Sequence, residues 1–234
     1  MKIILFGYGK MGQTIEKIAQ ERGHQIKYII NSKNDRYNIR EAEMAIDFST
    51  PIAAFQNITM CLNSGLPIVC GTTGWLEKYD DIINLCNKKK GAFLYSSNFS
   101  LGANVFFELN KRLAALMKNH RHYKLSIKEI HHKEKKDSPS GTAIKLANDL
   151  IKESNYENWK LGITTNRKTI NIESSRKQKI AGTHKIIYES DIDSIKIEHN
   201  AKNRLGFAMG AILSAEWLLG KTGIFSINDV INIK

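Results

Sequence analysis

The residues best equipped for chemistry lie in one run: Glu129-Ile130-His131-His132-Lys133-Glu134-Lys135-Lys136-Asp137-Ser138-Pro139-Ser140-Gly141-Thr142-Ala143. It begins where a strand-like pattern ends and finishes where a helical pattern starts. His131 can give or take a proton near neutral pH. Lys135 offers a compact positive charge. Ser138-Pro139 reads as the N-cap and first position of the helix, or Ser140 caps it one turn later. Gly141 and Thr142 then present backbone N–H groups at a helix N-terminus, and Thr142 adds a hydroxyl. That arrangement suits a carboxylate. A second reading pairs the histidines with Glu134 around a metal. Adjacent strand residues point to opposite faces, and the spacing is neither H-E-x-x-H nor a Cys/His array, so no metal is expected. A third reading is a solvated charged loop.

A glycine pattern opens the chain. Gly7-Tyr8-Gly9-Lys10-Met11-Gly12 is a G-x-G-x-x-G between a strand at 3–6 and a helix at 11–22. In that setting the first glycine permits the tight turn, the second lets backbone approach a pyrophosphate, and the third lets helix pack on strand. The helix N-terminus supplies free N–H groups to phosphates. The expected ligand is NADPH and/or NADH. An acidic residue after the second strand would select the ribose of NAD. Here Asn31, Ser32, Lys33 and Asn34 stand there instead. Lys33 suits a 2′-phosphate, which favours NADPH; a solvated loop lysine is the plainer alternative.

These motifs need elements to hold them. Strand signals at 3–6, 26–30, 44–48, 66–70 and 92–95 alternate with helical signals at 11–22, 52–63 and 79–87. Such alternation means a parallel sheet covered on both faces. After residue 102 the pattern changes to a helix at 105–117, a strand at 124–131, a helix at 142–152, and strands at 169–173, 185–190 and 194–199. The expected fold class is α/β, a Rossmann-like parallel sheet with a second α+β domain inserted before a C-terminal helix at 207–219. Residues 1–101, completed by 206–234, form the expected dinucleotide-binding domain, and residues 102–205 the second.

Composition narrows the setting. The chain has 234 residues and a net charge of +12, with Lys and Arg scattered rather than gathered into an aromatic-laced patch, so no nucleic-acid partner is expected. Only 88–90 and 133–136 are dense basic runs. A basic cleft also draws anionic small molecules. Cys61, Cys70 and Cys86 form no paired spacing, and the N-terminus reads as a strand rather than an export signal. A reducing, cytoplasmic setting is expected. No apolar stretch reaches the roughly 20 residues a bilayer requires.

The run His131-His132-Lys133-Glu134-Lys135-Lys136-Asp137-Ser138-Pro139-Ser140-Gly141-Thr142 resembles the signature of the dihydrodipicolinate reductases: two histidines, a lysine, then Asp-x-Pro-Ser-Gly-Thr. Other blocks agree in order: the glycine turn, Ile46-Asp47-Phe48-Ser49, Gly71-Thr72-Thr73-Gly74, Ser96-Ser97-Asn98-Phe99-Ser100, Glu198-His199-Asn200-Ala201 and Arg204-Leu205-Gly206-Phe207-Ala208. The resemblance spans essentially the whole chain. It implies a cofactor domain, a substrate-binding and oligomerisation domain, and a homotetramer. The implied reaction takes 4-hydroxy-tetrahydrodipicolinate, a cyclic dicarboxylate, to tetrahydrodipicolinate with loss of water and hydride transfer from NAD(P)H, in the diaminopimelate/lysine biosynthesis pathway. His131 is then the general acid, and Lys135 binds substrate and assists proton delivery. His132, Gly141 and Thr142 hold a carboxylate. Gly71, Thr72, Thr73, Ser96, Ser97, Asn98 and Phe99 line the nicotinamide side. This chain departs from the pattern at Glu134, at the missing ribose acid, and in a short connection after the second strand. An aspartate-type dehydrogenase and a non-catalytic nucleotide-binding protein are the competing readings.

Overall fold

The computed structural model describes residues 1–32, 36–178, 180–203 and 205–232. The chain divides into two compact units, Met1–Leu101 with Leu205–Lys234, and Gly102–Arg204.

The first unit is built on a parallel sheet. Its strands are β1 (Lys2–Phe6), β2 (Gln25–Ile30), β3 (Met44–Asp47), β4 (Ile68–Cys70), β5 (Ala92–Tyr95) and, from the end of the chain, β11 (Gly223–Phe225). Their order is β11-β5-β4-β3-β1-β2, and every pair is parallel. Strands buried on both faces read as unbroken apolar runs. Ile3 and Leu5 pack on one side with helix α1 (Lys10–Glu21) and helix α6 (Leu205–Leu218). Ile4 and Phe6 pack on the other with α2 (Pro51–Asn63) and α3 (Tyr79–Lys89). The short β11 is absent from the sequence reading because three residues carry no period; pairing with β5 and the Gly223 N–H to Gly91 carbonyl bond of 2.8 Å hold it. The chain reverses direction across the sheet between β1 and β3. Clefts for nucleotides open at such a switch, beyond the carboxyl ends of the strands.

The second unit is a mixed sheet with helices α4 (Leu101–Met117) and α5 (Gly141–Glu153). Its strands are β6 (Lys124–His131), β7 (Asn158–Leu161), β8 (Thr169–Arg176), β9 (Gly182–Glu189) and β10 (Ser194–Ala201), ordered β10-β9-β6-β8-β7. Along β6 the alternate residues Leu125 and Ile127 are buried against Leu146, Ala147 and Leu150 of α5. The short β7 is absent from the sequence reading, and several boundaries differ from it, two of them at the cluster described below. β8 continues past 173 to Arg176, and β9 begins at Gly182 rather than 185. The added residues Ser174, Ser175, Arg176, Thr183 and His184 are polar, so no hydrophobic alternation marks them. They are held by pairing with β6 and by the network described next.

Candidate active site

The inward face of β6 changes character toward its end. After Leu125 and Ile127 it presents Glu129 and His131, both buried. Glu129 lies in register with His184 of β9 and Ser174 of β8. Its carboxylate accepts the Ser140 N–H at 3.1 and 3.2 Å, the Ser140 hydroxyl, and the Ser174 hydroxyl at 2.6 Å. Arg176 Nη1 lies 3.5 Å away. Burial alone would raise the Glu129 pKa, but the donors from His184, Ser140 and Ser174 outweigh it and hold the group well below the usual carboxylate range. Glu129 is therefore a fixed buried anion.

His131 stands beside it, with Nδ1 3.5 Å from Glu129 Oε2. That nitrogen is buried and has no hydrogen-bond partner among the described residues. The His131 and His184 rings meet edge to face at 5.0 Å. Burial, then the His184 ring, push the His131 pKa down to about 4; Glu129 opposes them, and Lys135 and Arg176 add to the lowering. Glu129, His131 and His184 bring ligand atoms within 4.8 Å of one another, a spacing a divalent cation could use. The carboxylate, however, already takes several hydrogen bonds, and Arg176 supplies the positive charge. No cation is assigned there.

Ser140, not Ser138, caps α5: its side chain accepts from the Ala143 N–H at 3.2 Å. A side chain placed at Gly141 would meet nothing within 4 Å, so the helix N-terminus opens onto space. Thr142 is half-buried beside it. Lys135 Nζ pairs with Asp137 Oδ1 at 2.8 Å. Lys135 first, and the Gly141 N–H with it, hold the Asp137 carboxyl below its usual range. The Asp137 carboxylate thus rests against the Lys135 ammonium and the start of α5. His132 points away from the buried cluster, half-exposed, with Nδ1 3.7 Å from Glu134 Oε2. The departure at Glu134 is spent on His132 rather than on a neighbouring lysine.

In the first unit the glycine turn joins β1 to α1. Gly7 adopts φ +89°, and a side chain there would strike the Phe48 carbonyl at 2.3 Å. Gly12 lies equally close to the Gly7 carbonyl, whereas Gly9 has nothing within 4 Å and faces open space. No side chain caps α1, so its first N–H groups are left for a ligand. A cleft of about 620 Å³ is lined here by Gly7, Tyr8, Gly9, Asn31, Ser32 and Gln56. These features fit a dinucleotide pyrophosphate. Tyr8 turns its hydroxyl to Glu16 and its N–H to Asn31. Lys10 is exposed and Met11 packs on the core. Lys33 lies outside the described residues.

The other two expected cofactor segments leave the same sheet edge, after β4 and after β5. Gly71 sits against the Phe48 ring, and Thr73 is exposed. Thr72 is buried, and its hydroxyl donates to Asp47 at 2.5 Å. Ser96 bonds within its own turn to Asn98, and Ser97 is exposed. Phe99 is buried against Phe48. Thr72 and Phe99 therefore shape these loops from beneath.

The family profile described as the dihydrodipicolinate reductase N-terminus matches residues 1–99, and the C-terminal profile of the same enzyme matches residues 102–231. The chain belongs to the dihydrodipicolinate reductase family. It is 48% identical to the 4-hydroxy-tetrahydrodipicolinate reductase of Christiangramia forsetii, over 99% of this chain and 98% of that one. It is 35% identical to the enzyme of the same name from Rickettsia bellii, over 94% and 90%. A dipicolinate-bound dihydrodipicolinate reductase from Paenisporosarcina sp. TG-14 shares the fold, with a TM-score of 0.78, 21% identity and coverage of 98% and 99%. As a member of this family the chain is an NAD(P)H-dependent oxidoreductase with 4-hydroxy-tetrahydrodipicolinate reductase function. No helix among the described residues is long and apolar enough to cross a membrane.

Sequence reasoning left several participants of this reductase site without a role. Glu129 stands in the motif run, but nothing in its spacing shows that it is buried. His184, Ser174 and Arg176 lie far along the chain, and only strand register brings them to Glu129. Asp47 is fully buried; it accepts from Ser49, Asn57 and Thr72 and so ties the loop after β3 to the loop after β4. An aspartate inside an apolar strand and the resemblance of Ile46-Asp47-Phe48-Ser49 marked it without giving it a role.

Proposed function

We propose that His131 is the general acid of this reduction, that Lys135 with the N-terminus of α5 at Gly141 and Thr142 receives a substrate carboxylate, and that His132 assists at the exposed rim. The observation that carries this reading is the pairing of a buried imidazole with an open helix N-terminus on the same short segment. With His131 Nδ1 turned to Glu129, Nε2 is the atom left to face substrate. A side chain at Gly182 would come within 3.1 Å of that nitrogen, so the glycine keeps its approach clear.

The chemistry balances simply. The substrate loses water, the nicotinamide when bound would supply the hydride equivalent, and one proton is added at the neighbouring carbon to give tetrahydrodipicolinate. His131 Nε2 delivers that proton, an effect worth about 10²–10⁴-fold. Lys135 exchanges Asp137 for the substrate carboxylate. Dicarboxylate binding brings negative charge toward His131 and favours its charged form, against the effect of burial.

The first unit is the dinucleotide-binding domain in this reading, and the second binds substrate. Gly7, Gly9, Gly12 and the α1 N-terminus hold the pyrophosphate. NADPH is favoured over NADH, because Asn31 and Ser32 line the cleft where an acidic ribose selector would stand. The second unit also carries the contacts of a homotetramer, and the enzyme works in the cytoplasm, where its three free, buried cysteines stay reduced.

A coupled assay tests the whole reading. Substrate is made in situ from pyruvate and aspartate semialdehyde by the preceding synthase, and loss of reduced nicotinamide absorbance is followed. Oxidation that needs every component supports it, and the NADPH to NADH rate ratio decides cofactor choice. A folded protein that oxidises neither cofactor overturns it.

A further inference from the structure

Three groups around His131 have no part in the reaction as described. Glu129, Ser140 and His184 are buried and mutually bonded. Ser140 has one hydroxyl proton, and that proton goes to Glu129. Its oxygen must then accept from its remaining neighbours. One is the Ala143 N–H, which makes Ser140 the cap of α5. The other is His184 Nε2, 3.1 Å away. A shared proton count fixes the tautomer: His184 Nε2 carries hydrogen and donates to Ser140. The same Nε2 lies 3.6 Å from Glu129 Oε2, the oxygen that His131 Nδ1 approaches at 3.5 Å. One carboxylate oxygen thus stands between the two imidazoles, and one serine joins that oxygen to the helix end where a substrate carboxylate docks.

We propose that Glu129, Ser140 and His184 form a positioning network that couples filling of the α5 N-terminus to protonation of His131. It rests on the reading of His131 as the acid. Glu129 acts on His131 through its charge, with Oε2 facing Nδ1 at 3.5 Å. His184 lies across the same oxygen, with Nε2 3.6 Å from it, and adds to the burial that disfavours charge on His131. The titratable and charged groups facing His131 are Glu129 on its own strand, His184 on β9, Arg176 on β8 and Lys135 in the following loop. Burial first, then the His184 ring, with Lys135 and Arg176 adding to them, disfavour charge on His131, and Glu129 favours it. An arriving dicarboxylate tips the balance, and the proton is taken up together with the ligand.

The test is calorimetric binding of pyridine-2,6-dicarboxylate in buffers of different ionisation enthalpy, which counts protons taken up per ligand bound. Wild-type protein is expected to take up protons near neutral pH, and His131→Ala to lose that uptake. In His184→Asn the pH of maximal uptake should move up, and in Glu129→Gln down. Folded variants that bind more weakly but keep the wild-type uptake profile would overturn the network, as would wild-type binding without uptake. Ring-nitrogen NMR on the wild-type protein needs no variant: a proton on His184 Nδ1 rather than Nε2 overturns the arrangement. The two readings fail separately. Full turnover by His131→Ala removes the acid assignment, whereas an unmoved profile in His184→Asn removes only the network.

Discussion

The two binding regions of this reductase are made in opposite ways. The cleft of the first unit is organised by backbone, a glycine turn, an uncapped helix end and the carboxyl edge of a parallel sheet, with side chains such as Tyr8, Asn31 and Gln56 lining it. The His131 pocket is made of side chains brought from β6, β8, β9 and the start of α5. A backbone site needs residues that are small and consecutive, so its parts sit together in the chain. A side-chain site needs a charge balance, and charges can be delivered from any strand in register. The first region tolerates change wherever backbone shape survives; the second reacts to any change of a proton or a donor.

That contrast can be broken at defined points. The largest effect is expected at His131: His131→Ala should lower kcat by about 10²–10⁴-fold with little change in KM, since an acid acts mainly in the transition state. Steady-state kinetics with NADPH checks it, and a wild-type kcat would remove His131 as acid. The glycine turn should divide into two classes. Gly7→Ala places a side chain against the Phe48 carbonyl at positive φ, so thermal stability should fall by several degrees, of the order expected for a strained backbone. Gly9→Ala has room in the empty protein and should keep its melting temperature while losing cofactor affinity, which fluorescence titration of NADPH reads. If both lose stability alike, the division by open space fails.

The side-chain region should show itself in pH dependence. His131 has a folded pKa of about 4 against an ordinary 6.5, so the unfolded chain binds the proton more readily. Its stabilising contribution is present above the unfolded value and is lost as pH falls from 6.5 toward about 4. Glu129, depressed below its ordinary range, removes further stability only at lower pH. Chemical denaturation across this window should show stability falling with pH in wild type and a flatter profile in His131→Asn. The smallest effect is expected at Lys33. Lys33→Ala should weaken NADPH by a few-fold more than NADH, and equal losses would remove it as the selector.

Much of this was legible in the residues. Gly7, Gly9 and Gly12 announce their turn because the backbone requires glycine at fixed offsets, and the alternation of apolar strands and helices announces the parallel sheet. The His-His-to-Gly-Thr run declares an acid beside a helix N-terminus. What stayed hidden was polar and distant. The ends of β8 and β9 carry serine, arginine and histidine where a strand is normally recognised by apolar alternation. Thr72 reads as a cofactor contact from its glycine-flanked loop, yet burial against Asp47 gives its hydroxyl a structural task.

The sequence by itself determined the sheet, the glycine turn, the family and the segment that carries His131, because each is written in local spacing. Only the tertiary structure decided the charge state of His131 and the partners of Glu129. Those depend on burial and on which strands lie side by side, and register across β8, β6 and β9 joins residues that the chain itself keeps far apart.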